Sequence, residues 1–135
     1  MRVVVDTNIF ISFLLGDFPE KLIGLIQTNR AQLLISSQLF EELLLVLGRP
    51  KFRRLFSPED VKTLLALLET KARWVFPSIQ VDDCRDKKDN MILECAIEGR
   101  ADLVVTGDND LFALHPFHGV RIVSLAEFIG IIGRI

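Results

Sequence analysis

The chain has 135 residues, of which 50% are hydrophobic, and its formal net charge is −2 at pH 7. This length is close to the commonest size of one domain, so we expect a single domain over residues 1–135. No uninterrupted apolar run approaches the ~18 residues that a membrane span needs. The acidic total argues against a protein that coats polyanions in general, but a local basic patch can coexist with it.

The opening stretch and the two cysteines bear on the cellular compartment. Asp6 interrupts the apolar opening and no small-residue cleavage site follows Leu15, so we expect no signal peptide. Cys84 and Cys95 match neither a disulfide framework nor a zinc ligand set, and we interpret them as small core residues in a reducing cytosol. The sequence therefore predicts a cytoplasmic protein without a membrane anchor.

Predicted strands and helices alternate along the first half of the chain. The run Val3-Val4-Val5 is typical of a strand buried on both faces of a parallel sheet. A helix capped by Thr7 or Asn8 is predicted to run to about Leu15, followed by a helix at residues 20–28 and a strand at residues 33–35. The next predicted helix is capped by Ser36 or Ser37 and ended by Gly48 and Pro50. Its apolar residues lie on one face: Leu39, Phe40, Leu43, Leu44 and Leu47.

The second half continues the alternation. The elements predicted there are a helix from Ser57 to about Ala72, a strand at residues 74–76, a helix at residues 89–98, a strand at residues 103–105 followed by a turn at 107–110, a strand at residues 120–123, and a helix opened by a capping box at Ser124 and Glu127. This order predicts an α/β protein, a three-layer α/β/α arrangement with a central, mostly parallel sheet.

Acidic residues fall where such a sheet binds ligands, beyond the carboxyl ends of its strands. Asp6 directly follows the first strand, and Asp108 and Asp110 follow the strand at residues 103–105. Asp89 starts a helix, and Glu42 lies inside the helix after the second strand. We therefore expect these carboxylates to share one edge of the sheet.

Carboxylates that converge disfavour each other's ionisation unless a cation lies between them. A hard divalent cation such as Mg²⁺ or Mn²⁺ would turn this repulsion into binding, and it could activate a water for attack on phosphorus. Each acid also has a purely structural interpretation. Asp6, Asp89 and Asp108 could simply cap helices or a turn, and Glu42, next to Glu41, could belong to a solvated helix face.

Other catalytic machinery is missing from the sequence. There is neither a phosphate-binding P-loop nor a G-x-G-x-x-G motif. His115 and His118 lie in a polar turn with Pro116, where we expect both to be exposed, so a serine or cysteine hydrolase lacks its histidine.

Three segments carry a family resemblance that runs over essentially the whole chain. They are VVVDTNIFIS, FEELLLVLGRPKF and CRDKKDNMILECAIEGRADLVVTGDNDLFAL, followed by the terminal IVSLAEF. In the order and spacing of its acids the chain resembles the PIN-domain family, particularly the VapC-like toxins of toxin–antitoxin modules. The resemblance implies a PIN-like fold and an endoribonuclease that uses Mg²⁺ or Mn²⁺ to cut RNA phosphodiester bonds.

The resemblance also implies roles for individual residues. Four acids match the family's catalytic and metal-binding set: Asp6, Glu42, Asp89 and Asp108. Auxiliary positions, which include a further acid and the small polar residues that hold the carboxylates, match Asp110, Thr7, Asn8 and Thr106. Glu42 is preferred to Glu41 because the Glu42-Leu43 pair fits the family pattern better.

The expected partners are RNA, a cognate antitoxin and a second copy of the chain. The candidates for contact with the RNA backbone are Arg49, Lys51, Arg53, Arg54, Arg85, Lys87 and Lys88, which are otherwise ordinary solvated surface. Phe52, Phe56 and Phe112 are candidates for base stacking, although core positions are favoured for them. Some apolar residues exceed what one sheet face covers; we expect about half of them in the core and the remainder in a homodimer surface and an antitoxin groove. The set comprises Phe10, Phe13, Leu14, Phe18, Leu22, Ile23, Leu25, Ile26 and residues 43–47.

Three alternatives stay open. One is a non-catalytic PIN-like interaction module whose acids only cap helices or bind a structural ion. Another is an RNA-processing nuclease that has no antitoxin. The third, an aspartate-based phosphotransferase, would require a second Asp where Asn8 stands and a lysine near the later acids, and it ranks lowest.

Overall fold

The computed structural model of the chain describes residues 1–16, Glu20, Gly24 and residues 30–133. Its strands, in chain order, are β1 (Arg2–Val5), β2 (Gln32–Ser36), β3 (Arg73–Val75), β4 (Leu103–Val105) and β5 (Arg121–Val123). The helices of the described part are α1 (Thr7–Leu15), α2 (Ser37–Leu47), α3 (Pro50–Leu55), α4 (Pro58–Lys71), α5 (Lys87–Glu98), α6 (Asn109–Phe112) and α7 (Leu125–Ile132). The helix predicted at residues 20–28 lies almost wholly outside the described residues.

The five strands form one sheet in the order β3-β2-β1-β4-β5, and all four pairings are parallel. The chain moves outward from β1 through β2 to β3, then returns to the other side of β1 for β4 and β5. The order of strands therefore reverses between β1 and β4. In a parallel sheet this reversal opens a crevice at the carboxyl ends of the two strands, which is where ligands bind.

Helices cover the sheet, which confirms the expected three-layer α/β/α arrangement. α5 lies across β1, β2 and β4, and α2 packs against α1, α5 and β2. Residues 3–5 of β1 and all of β4 are apolar, and Val3, Val4 and Val104 are fully buried. This burial on both faces explains why these strands lack an alternating polar pattern. None of the helices described is long and apolar enough to cross a membrane.

Most helices of the described chain begin at a side-chain cap. The capping residues are Asp6, Ser36, Ser57, Asp86, Asp108 and Ser124, whose side chains accept a hydrogen bond from the first turn. The prediction that Thr7 or Asn8 caps the first helix was wrong, because Asp6 has the extended backbone of a cap and Thr7 is already helical. The helix predicted to begin at Asp89 starts two residues earlier, because Asp86 caps it.

Two further predictions of local structure need correction. Pro50 was expected only to stop a helix, but it opens the short helix α3, since proline suits the first helical turn. Leu44 was placed on the buried face of α2, yet it is exposed, and Val46 is buried instead.

The cysteines and histidines lie as expected. Cys84 and Cys95 are buried, and burial raises the pKa of their thiols to about 11 and about 12, so neither is a reactive thiolate at neutral pH. His115 and His118 are exposed. Nδ1 of His115 nevertheless accepts a hydrogen bond of 2.9 Å from the Ile122 N–H, which ties this turn to β5.

The apolar residues proposed for partner surfaces divide between core and surface. Phe10 and Phe13 are buried, Leu14 is partly buried and packs against the core, and Leu43, Val46 and Leu47 are buried. Leu44 and Leu45 are exposed, Leu45 to 71%. Phe18, Leu22, Ile23, Leu25 and Ile26 lie outside the described residues.

The end of α5 approaches the sheet too closely for a side chain at Gly99. A Cβ there would lie 2.7 Å from Cδ1 of Leu34 and 3.0 Å from Cγ2 of Val75. We predict that Gly99→Ala lowers the free energy of unfolding by about 1–3 kcal/mol, the usual cost of overpacking, as measured by urea unfolding.

Gly130→Ala is the matched control, because a Cβ at this helical position meets nothing within 4 Å. It should raise the free energy of unfolding by about 0.5–1 kcal/mol, since alanine is the better helix former. A Gly99→Ala protein as stable as the parent would contradict the close packing of α5 against β2 and β3.

Candidate active site

The crevice between β1 and β4 is the place where the site is built. Asp6 directly follows β1, and its N–H donates a hydrogen bond of 3.0 Å to the carbonyl of Val105 at the end of β4. Asp108 follows β4 after two residues. Strand pairing therefore fixes the two acids at the same edge of the sheet, as the sequence predicted.

Thr106 links these two acids. Its hydroxyl is fully buried, donates a hydrogen bond of 2.8 Å to Oδ2 of Asp6, and accepts one of 3.0 Å from the Asp108 N–H. A hydroxyl can donate once while it accepts, so one side chain serves both neighbours. The position of Asp6 is thereby fixed relative to the backbone of Asp108.

Asp6 is a buried carboxylate. Its side chain caps α1 through the Asn8 N–H, and the residue is only 8% exposed. Burial raises the pKa of the Asp6 carboxyl above its ordinary value, and the nearby Asp108 adds to this effect. The hydrogen bond from Thr106 acts in the opposite direction because it favours the charged form.

Of the acids in the site, Asp89 has the most strongly shifted pKa. It lies in the first turn of α5 and is 4% exposed, and its Oδ2 is buried without a hydrogen-bond partner among the described residues. Burial, followed by the neighbouring Asp108, raises the pKa of Asp89 to about 7. A buried oxygen without a partner is costly, and a bound cation would supply that partner.

Three carboxylates already have the spacing of a cation site. One oxygen each of Asp89, Asp108 and Asp110 lies within 4.8 Å of the other two. An all-oxygen set of this kind suits Mg²⁺ or Mn²⁺, which prefer carboxylate and water ligands. The donor chemistry and the unpartnered Asp89 oxygen therefore both fit a divalent cation.

A cavity of about 210 Å³ joins these acids to α2. Of the sequence-predicted residues, those lining it are Asp6, Thr7, Asn8, Glu42, Arg49, Lys88, Asp89 and Asp108. Glu42 reaches the cavity from α2, while its neighbour Glu41 is exposed. Asp110 is adjacent to Asp108 but pairs at 3.4 Å with the exposed Arg85, outside the cavity wall as described.

The basic candidates separate in the same way. All seven are exposed, but only Arg49 and Lys88 also line the cavity. The others do not belong to its described lining: Lys51, Arg53, Arg54, Arg85 and Lys87. Phe52 and Phe56 stack on each other, with ring centroids 5.5 Å apart, and Phe112 is half-buried. Neither they nor Phe112 belong to that lining.

Asp86 lines the cavity although sequence reasoning did not include it. Its Oδ1 accepts a hydrogen bond of 3.0 Å from the Lys88 N–H, and it caps α5. The pattern Asp86-Lys-Lys-Asp89 contained the signal, because an aspartate three residues before an acid is typical of a helix start. Apolar walls from Leu39, Val46, Met91 and Ile92 complete the cavity.

Comparisons with known proteins agree with this geometry. The family model described as PIN domain matches residues 2–110. The uncharacterized protein MJ1680 of Methanocaldococcus jannaschii is 30% identical over 117 residues, which cover 84% of this chain and 75% of that protein.

A solved structure shares the fold. It is the crystal structure of VapBC2 from Rickettsia felis bound to a DNA fragment from their promoter. The match has a TM-score of 0.57 and 17% sequence identity, and it covers 92% of this chain and 98% of the other. The chain belongs to the PIN-domain family, whose members are generally nucleases.

The raised pKa of Asp89 predicts how stability depends on pH. The folded protein holds this proton up to about pH 7, whereas the unfolded chain releases it near 3.8. Stability from this group is therefore full below about pH 4 and is lost as the pH rises through about 7. In EDTA, we predict that the free energy of unfolding falls over this interval and that Asp89→Asn flattens the fall, as measured by urea unfolding at a series of pH values.

Asp82→Asn is the control for that series, since Asp82 is exposed and outside the described cavity lining. It should leave the slope unchanged. An Asp89→Asn protein with the slope of the parent would show that Asp89 is not held protonated by its surroundings.

Proposed function

We propose that the chain is a divalent-metal-dependent endoribonuclease and the toxin of a toxin–antitoxin pair. The observation that carries the proposal is the arrangement of Asp6, Glu42, Asp89 and Asp108 around one cavity at the switch point of the sheet. Helix caps alone would not require an acid from α2, nor would they leave a buried oxygen of Asp89 without a partner. A cation-binding cavity accounts for both.

Mg²⁺ or Mn²⁺ would be held by Asp89 and Asp108, with Asp6 and Glu42 on the same cavity wall and Asp110 beside Asp108. When bound, such an ion neutralises phosphate oxygens and lowers the pKa of a water so that it can attack phosphorus. The four catalytic candidates are acidic and the described cavity lining contains no histidine, so the chain's own contribution is acceptor oxygens and charge.

The residues around the carboxylates orient them. Thr106 holds one oxygen of Asp6, while the Asn8 N–H faces the other. The Asp110 N–H donates a hydrogen bond of 2.8 Å to Oδ1 of Asp108. Since these contacts are set by the ends of β1 and β4, the carboxylates are fixed before substrate arrives, as an electrostatic catalyst requires.

RNA is the proposed substrate because the cavity combines acids with cations that can contact phosphates. Arg49 and Lys88 lie on the cavity wall, and their positive charge can attract the RNA backbone towards an otherwise negative centre. Helix α3 can extend this contact along the RNA through its basic residues Lys51, Arg53 and Arg54.

The antitoxin and the homodimer are proposed from different observations. The VapBC2 structure, which shares the fold, supports a partner protein for this chain. The exposed Leu44 and Leu45 on α2 are apolar surface that a second copy or an antitoxin helix could cover. An antitoxin could also insert a basic side chain among the acids, where it would take the place of the cation.

We predict that the purified chain cleaves RNA in Mg²⁺ or Mn²⁺ and loses this activity in EDTA. Asp6→Asn keeps the shape of the side chain but removes its charge, so it should lower the cleavage rate by at least ~10²-fold. Its folded stability should be unchanged or higher, because one repelling carboxylate is gone. The measurement is the initial rate on a labelled mixed-sequence RNA, with unfolding curves for each variant.

Glu42→Gln and Glu41→Gln form a matched pair for the same assay. Both remove one acid from the same turn of α2, but only Glu42 lines the cavity. Glu42→Gln should slow cleavage, and Glu41→Gln should cleave as the parent does. Full activity in EDTA, or equal rates for the two variants, would contradict the proposed site.

A further inference from the structure

One ion pair bridges the two sides of the cavity. Nζ of Lys88, on α5, lies 3.2 Å from Oε1 of Glu42, on α2. The Lys88 side chain is 54% exposed and the Glu42 side chain only 16%, so the lysine reaches inward to a carboxylate that is largely shielded from water. Both residues line the cavity that Asp89 and Asp108 also line, so the ion pair and the proposed cation ligands share one cavity.

The excess of carboxylates in the cavity accounts for the position of this lysine beside Glu42. The described lining contains five carboxylates, from Asp6, Glu42, Asp86, Asp89 and Asp108, but only two basic side chains, from Arg49 and Lys88. Lys88 also lies in the first turn of α5, where the helix dipole disfavours positive charge. Its position is therefore better explained by the carboxylate opposite than by the helix that carries it.

We infer that Lys88 is a positioning residue whose ammonium group holds the Glu42 carboxylate and acts as a built-in cation of the cavity. Lys88 therefore competes with a divalent ion for that carboxylate. The inference rests on the proposed function, since it concerns the same cation site. It divides the acids into two groups. Glu42 is neutralised by the protein's own lysine, and the aspartates beyond the strand ends are left for the metal.

This division has a measurable consequence for metal binding. Removal of the lysine charge frees Glu42 and leaves the cavity more negative, so a divalent ion should bind more tightly. An ordinary exposed ion pair would show no such effect, because surface pairs contribute little and are screened by solvent. The effect should also depend on Glu42, since the lysine acts through that carboxylate.

The test is calorimetric titration of the metal-free protein with Mn²⁺. Lys88→Gln should bind Mn²⁺ about tenfold more tightly than the parent, the scale of removing one nearby positive charge. Lys88→Arg keeps the charge and should bind as the parent does, within about threefold. In the Glu42→Gln background, Lys88→Gln should change the affinity by less than about threefold, because no carboxylate is released.

Lys87→Gln is the matched control. It removes the same charge from the same helical turn, but Lys87 does not belong to the described cavity lining, so Mn²⁺ affinity should change by less than about twofold. Lys88→Gln with the affinity of Lys87→Gln, or with equal tightening in the presence and absence of Glu42, would overturn the inference while leaving the nuclease site intact. Failure of the parent and every variant to bind Mn²⁺ would overturn the proposed function as well.

Discussion

Repulsion among carboxylates at the carboxyl ends of β1 and β4 is the constraint that organises this protein. Asp6 and Asp89 are almost fully buried, and Asp108 lies close enough to raise the pKa of both. Fixed negative charges at such distances oppose folding unless they are protonated or neutralised. Burial and the neighbouring Asp108 raise the pKa of Asp89 to about 7, which favours its protonated form below that pH when no metal is bound. In the proposed activity, a bound divalent cation would neutralise these carboxylates instead.

The fold provides the rigidity that keeps these charges together. Asp6 and Thr106 immediately follow the adjacent strands β1 and β4, and each donates its N–H to a neighbouring strand. Asp6 therefore extends the sheet, and Asp108 is tied to it through the Thr106 hydroxyl. Helix α5 contributes Asp89 and α2 contributes Glu42 to the same cavity. Burial of the apolar core thus offsets the unfavourable free energy of clustering these carboxylates, which do not stabilise the fold in the absence of a cation.

Much of this arrangement could be predicted from the sequence, because its signals are local. The apolar runs at Val3–Val5 and Leu103–Val105 identified central parallel strands, and the acids that follow them were placed at the correct edge. The preference for Glu42 over Glu41 agrees with the exposed position of Glu41. The short helix α3 and the role of Asp86 as a cap were not predicted, because a proline and an aspartate each have several structural uses.

Which basic residues face the cavity could not be predicted from the sequence. Lys87 and Lys88 are neighbours, yet successive helical residues point about 100° apart, so only one of them faces the cavity. Which one does so depends on how α5 is rotated against the sheet, and that rotation is fixed by distant packing, such as the contact of Gly99 with Leu34 and Val75. The ion pair between Lys88 and Glu42 depends on the same rotation, and the sequence pattern contains no trace of it.

A divalent ion bound by the buried aspartates can be located by anomalous scattering from manganese in crystals grown with Mn²⁺. We expect an anomalous peak in contact with carboxylate oxygens of Asp89 and Asp108, so that Oδ2 of Asp89 gains a partner. A well-ordered cavity with no peak among these carboxylates at saturating Mn²⁺, above pH 7 where Asp89 is charged, would contradict this expectation.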